Sequence, residues 1–115
     1  ILRYARASAR NRPAPAVPAA EESALVAGYL AAKPAQIQQA RDCLAIGDFD
    51  PIRRFGHNLK GTGSGYGFPR IGELGFEIEK AAREGDSGLV AAKLEDLYRM
   101  VNQETRDRAG AQDRN

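Results

Sequence analysis

The chain has 115 residues, 43% of them hydrophobic, with one cysteine and one histidine, a composition that supports one domain with a single modest core. Cys43 alone excludes an internal disulfide, and one cysteine with one histidine excludes any familiar zinc site. The net charge of +2 misleads, because Arg3, Arg6, Arg10 and Arg12 stand in an acid-free first 20 residues and the other 95 carry 13 basic and 15 acidic groups; the body of the chain therefore lacks the clustered cations that nucleic acid requires.

No run approaches the roughly 20 apolar residues of a membrane span, so no membrane insertion is expected, and the unpaired cysteine fits a reducing, cytoplasmic setting. The chain begins at Ile1 instead of methionine and reads as a piece of a longer protein. Residues 1–20 form a basic segment that runs into a Pro/Ala-rich linker. From Glu21 to Lys33, Leu25, Val26, Tyr29 and Leu30 recur at helical spacing. A second helix is expected from Pro34, carrying Ile37, Ala40, Leu44 and Ala45 inward and stopping at Gly47. Cys43 lies in this apolar stretch and reads as a packed, inert thiol.

Asp50 is expected to cap a third helix with Pro51 as its first residue, and Ile52, Phe55, Leu59 and Gly63 make its inner stripe. Pro69 opens a fourth, with Ile71, Leu74, Ile78 and Ala82 facing inward. Ser87 is expected to cap a fifth, whose inner face is Leu89 or Val90, then Leu94, Leu97, Tyr98 and Val101. No segment alternates with period two. Short links between amphipathic helices favour antiparallel neighbours, so the fold expected is all-α: an up-and-down antiparallel four-helix bundle with a short leading helix, over residues 21–107. Residues 108–115 are expected to be a polar tail that frays.

At about 100° per residue, His57 lies roughly 160° from the centre of the Ile52–Leu59 stripe, among Arg53, Lys60, Gly61 and Ser64. Its imidazole should face water. A neutral imidazole is a nucleophile near neutral pH that needs no dedicated activating base, and it can carry a phosphoryl group reversibly. Lys60 is three residues on, on the same face and within reach of phosphate oxygens. Gly61 leaves bare backbone beside the ring, so another protein can approach closely. Arg53 and Arg54 read as ordinary surface cations.

The segment Asp50–Asp86, with His57-x-Leu59-Lys60-Gly61 followed by small residues, Gly67, Phe68 and a Leu74-x-x-x-Ile78-Glu79 pattern, resembles the histidine phosphotransfer (HPt) domains of multistep two-component phosphorelays. With its flanks the resemblance covers about Glu21 to Asp107. It implies that His57 accepts the phosphoryl group on Nε2, that Lys60 stabilises it, and that Gly61 gives the partner access. Glu79 then falls where the family has a polar residue able to accept a hydrogen bond from Nδ1–H. The implied partner is the receiver domain of a response regulator or hybrid histidine kinase, which brings the magnesium ion; this chain itself is expected to need no cofactor. The resemblance also suggests the C-terminal module of a hybrid kinase or receiver protein.

Gly61, Gly63, Gly65 and Gly67 break the local pattern, since each costs about 1 kcal/mol relative to alanine inside a helix. Their spacing fits neither the P-loop nor the dinucleotide fingerprint, and they follow a helix instead of a strand. Close helix packing and partner access explain them better. A hydrolase built on Ser64 and His57 is disfavoured, because seven helical residues separate them by about 10 Å where a nucleophile and its base need about 3 Å. The remaining alternative is a non-catalytic helical module that docks a receiver or another signalling protein. In either case no autonomous kinase activity is expected.

Overall fold

The computed structural model describes residues 19–113; apart from Ala19 and Ala20, the basic segment and linker expected at residues 1–20 lie outside it, as do residues 114–115. Four helices follow one another: α1 (Ala19–Ala45), α2 (Phe49–Thr62), α3 (Pro69–Arg83) and α4 (Ser87–Asp113), with one 3₁₀ turn at Ser64–Tyr66. Each packs on its neighbours in sequence, and α1 packs on α4. The links at 46–48, 63–68 and 84–86 are too short for anything but antiparallel neighbours. Gly47 and Gly85 lie at φ +74° and +69°, the left-handed conformation in which a chain leaves a helix most easily when it has no Cβ. The all-α four-helix bundle is thus the architecture found.

The core is filled from all four helices: Leu30 and Ile37 from α1, Ile52 and Leu59 from α2, Ile71, Leu74 and Ile78 from α3, and Val90, Leu94, Leu97 and Val101 from α4. Of the two candidates at the start of α4, Val90 is fully buried and Leu89 is 40% exposed. Leu25 also turns outward. Phe55, Tyr98 and Cys43 are half-buried against the core.

The short leading helix does not exist as a separate element, because α1 runs through Pro34 without a break. An internal proline removes a backbone donor and costs about 3 kcal/mol. Yet Leu30, Lys33, Ile37 and Ala40 are all buried, and their spacing keeps them on one stripe only if the helix continues in phase through Pro34. Burying several side chains at about 1.5 to 3 kcal/mol each outweighs the local penalty.

Two helix starts also differ from expectation. Asp48, not Asp50, holds the N-cap position of α2, with φ −93° and ψ 93°, so Pro51 is the third helical residue, where its missing N–H would have had no intrahelical partner. Asp50 instead pairs with Arg53 at 2.8 Å and with Arg54, and those bonds, Arg53 first, hold its carboxyl below the usual range. Ser87 opens α4, but the cap is Asp86, whose Oδ1 accepts the Leu89 N–H at 3.1 Å. Over residues 108–113, part of the tail expected to fray, α4 continues to Asp113. Arg108 donates to Ser23 Oγ at 2.9 Å and to its carbonyl at 3.3 Å, so this last stretch is held on α1.

Helices α2 and α3 approach each other through glycines. A Cβ on Gly56 would lie 2.5 Å from the Glu79 backbone nitrogen and 2.7 Å from the Gly75 carbonyl oxygen; one on Gly75 would lie 2.5 Å from Leu59 Cβ and 2.6 Å from the Lys60 nitrogen. At Gly63 it would collide with the backbone of Gly72. The helix-propensity penalty of these glycines is offset by a backbone-to-backbone contact that larger residues prevent. Gly61 and Gly65 are different: nothing lies within 4 Å of a Cβ at either.

Candidate functional site

Because Ile52 and Leu59 turn into the core and Gly56 lies against α3, the next residue, His57, emerges at the outer edge of the α2–α3 seam. Its side chain is 63% exposed, as the helical phase of the sequence predicts. Glu79 follows the fully buried Ile78 on α3 and has a side chain only 7% exposed. It is buried because the glycine contact brings α2 down onto it.

His57 Nδ1 lies 3.2 Å from Glu79 Oε2. Lys60 Nζ lies 3.2 Å from Glu79 Oε1, and Arg83 Nη2 lies 3.1 Å from Oε2. An ionised carboxylate only accepts hydrogen bonds, so in the neutral ring Nδ1 donates to Glu79 and Nε2 keeps its lone pair. Nε2 has no hydrogen-bond partner among the described residues. The arrangement is an exposed nitrogen nucleophile whose tautomer is set from the buried side.

Burial works to raise the Glu79 carboxyl, but hydrogen bonds from Lys60 and His57 and their positive charge outweigh it, and the net shift is downward. A carboxyl lowered in the folded state contributes stability that is present above the unfolded value, near 4.3, and is lost as pH falls through the lowered folded value. Acid unfolding monitored by circular dichroism should therefore show wild-type chain losing stability between roughly pH 5 and pH 3 more steeply than Glu79→Gln. Equal slopes would mean that Glu79 is not held ionised by this cluster.

The other expected residues fall as follows. Lys60 is beside His57, but its ammonium is engaged with Glu79 and lies 5.7 Å from the centre of the Phe76 ring. Gly61 is exposed with open space around it. Arg53 and Arg54 are tied to Asp50. Ser64 belongs to the 3₁₀ turn, with its hydroxyl against Gly72, and no Ser64–His57 hydrogen bond exists among the described residues.

Two features escaped the sequence reading. Arg83 completes the Glu79 cluster; its signal was the Glu79-x-x-x-Arg83 spacing that pairs residues on a helix face. The second is an aromatic brace behind the glycine run: Tyr29 stacks on Tyr66 with centroids 4.2 Å apart, and Phe68 lies 6.4 Å from Tyr29. Thr62 gives its hydroxyl proton to the Asn58 carbonyl at 2.8 Å, so Tyr29 donates to Thr62 Oγ1 at 2.9 Å. Lys33, nearly buried, sits 3.9 Å over the Tyr29 ring and bonds Gln36 at 3.0 Å, and burial lowers its pKa.

A groove of about 840 Å³ between α1 and α2 is lined by Asn58 and Thr62 but not by His57 or Glu79. Among the described residues no three His, Cys, Asp or Glu side chains cluster as a metal site, and no helix is long and apolar enough to cross a membrane. A search of the curated proteins and one of the solved structures found no match. The family model for the Hpt domain matches residues 24–110, a span that takes in His57, Lys60, Gly61, Glu79 and all four helices. With that match over most of its length, the chain belongs to the Hpt domain family, whose members serve as histidine phosphotransfer modules in phosphorelays.

Proposed function

We propose that this chain accepts a phosphoryl group on His57 Nε2 from the phosphorylated aspartate of a receiver domain and returns it to a receiver aspartate, acting in the cytoplasm. In the forward step the Nε2 lone pair forms the N–P bond, the P–O bond of the acyl phosphate breaks, and its electron pair leaves with the aspartate carboxylate. The proton stays on Nδ1. The ring gains positive charge, and Glu79, 3.2 Å away, is placed to neutralise it. The observation that carries this reading is the exposed imidazole held through Nδ1 by a buried carboxylate.

Lys60 is the nearest mobile cation to the incoming phosphate. Its ammonium bonds Glu79 in the resting chain, and its side chain is 43% exposed, so it can turn outward as negative charge arrives. Gly61, with open space where a Cβ would stand, lets the receiver backbone come close. Magnesium belongs to the receiver, since this surface presents cations instead of an acidic cluster. The exposed imidazole held by Glu79 favours phosphotransfer over the docking-only alternative, which leaves the Glu79 clamp unexplained.

The test pairs two donors. Incubation with a phosphorylated receiver and magnesium should put one acid-labile, base-stable phosphate on the chain, whereas ATP and magnesium alone should put on none. Labelling by ATP alone would replace the phosphotransfer reading with an autonomous kinase, and no labelling by a panel of phosphorylated receivers would leave docking as the better account.

A further inference from the structure

Glu79 has two oxygens and three donors. Lys60 takes Oε1, while His57 Nδ1 at 3.2 Å and Arg83 Nη2 at 3.1 Å share Oε2. Water contributes little to a side chain only 7% exposed, so these partners set how much negative potential the imidazole feels. A lone buried carboxylate beside Nδ1 would draw a second proton onto the ring and convert it to imidazolium. That form has no lone pair on Nε2 and is not a nucleophile.

Arg83 is suited to prevent this. It stays protonated at any working pH, and it reaches Glu79 from the same helix at i+4, in the favourable order with the acid N-terminal. As the last residue of α3 it also sits where the helix dipole favours a cation. Its bond to Oε2 is thus made within α3 itself, from an arginine side chain that is 61% exposed. Of the other cations on α2, Lys60 is on Oε1 and Arg53 and Arg54 are on Asp50, and α1 and α4 supply no hydrogen-bond partner to the cluster among the described residues.

We infer that Arg83 is a positioning residue for the phosphotransfer proposed above: by occupying Oε2 together with Nδ1, it keeps the Glu79 carboxylate aimed and offsets part of the negative potential that the imidazole feels. Its role is exerted through Glu79 and does not depend on touching the phosphate.

The experiment compares wild type, Arg83→Gln, Arg83→Lys and Arg83→Gln in a Glu79→Gln background. Two readouts are used: imidazole ¹⁵N shifts against pH, and the rate of His57 phosphorylation by phosphoramidate, a small donor that requires no partner protein. At this separation one charge is worth about half a pH unit even through water. Arg83→Gln should therefore populate imidazolium at higher pH, move the acid limb of the rate profile up by the same amount, and lower the rate at pH 6 about threefold relative to its rate at pH 8. Arg83→Lys should restore most of the loss, and in the Glu79→Gln background the arginine substitution should have a clearly smaller effect. Superimposable ¹⁵N titrations and rate profiles for wild type and Arg83→Gln would overturn the assignment, as would an undiminished effect without the Glu79 carboxylate. If wild type fails to react with phosphoramidate, the ¹⁵N titration alone decides the role of Arg83, while labelling by a phosphorylated receiver decides the phosphotransfer reading separately.

Discussion

His57→Gln removes all phosphoryl acceptance from a phosphorylated receiver, at least to the limit of detection, while changing stability by less than about 0.5 kcal/mol. Glutamine has no ring nitrogen to form an N–P bond, and no second histidine exists in the chain to substitute. The stability half of the prediction follows from exposure: 63% of the side chain already faces solvent, and its bond to Glu79 is one of three on that carboxylate. Urea unfolding measures the second half, and acid-labile phosphate measures the first. Residual labelling at the wild-type rate would place the acceptor elsewhere, and a loss of several kcal/mol would show the imidazole to be part of the core.

Gly75→Ala and Gly56→Ala should each destabilise the bundle by about 3 kcal/mol, at the upper end of what overpacking usually costs. The added methyl at either position meets backbone atoms 2.5–2.7 Å away, and backbone cannot yield by changing rotamer. Helices α2 and α3 must separate, which also pulls His57 from Glu79, so the ¹⁵N signature of the Nδ1–H ring should weaken in both variants. Gly61→Ala is the contrast: with open space at its Cβ position and no positive φ, it should stabilise α2 by up to about 1 kcal/mol through helix propensity alone. Thermal unfolding separates the two behaviours. Equal responses at Gly61 and Gly75 would contradict the close α2–α3 seam.

These glycines mark where the sequence stopped being legible. Its pattern already suggests that small residues near His57 serve packing or access, but composition cannot assign each glycine to one role. The structure divides them: Gly63 lies against Gly72, whereas Gly61 faces open space. Gly56, Gly72 and Gly75 carry no local signal, because their meaning depends on which helix lies opposite. The phase of His57 was readable, since Ile52 and Leu59 define an inner stripe within eight residues of sequence. Glu79 could be placed beside the core stripe but not known to be buried, for its burial is caused by Gly56 on another helix.

Pro34 misled for a different reason. Local chemistry makes a proline a helix boundary, and only the shared burial of Leu30, Ile37 and Ala40 across it shows that tertiary packing overrides the rule. Asp48, Asp50, Asp86 and Ser87 illustrate the usual uncertainty of one or two residues at helix starts, where several adjacent side chains are competent caps. Arg83 is not legible from the sequence around His57, because its link to the imidazole passes through a carboxylate whose position the fold decides.

The central claim is that Nε2 of His57, freed by the Nδ1–Glu79 bond, is the atom that carries the phosphoryl group. Phosphorylating ¹⁵N-histidine-labelled chain with a phosphorylated receiver and recording ¹⁵N and ³¹P spectra tests it directly, because the N–P bond identifies the nitrogen. The account predicts a single phosphorylated histidine linked through Nε2, with the proton retained on Nδ1. Linkage through Nδ1, or stable phosphate on Ser64 or an aspartate instead, would contradict it.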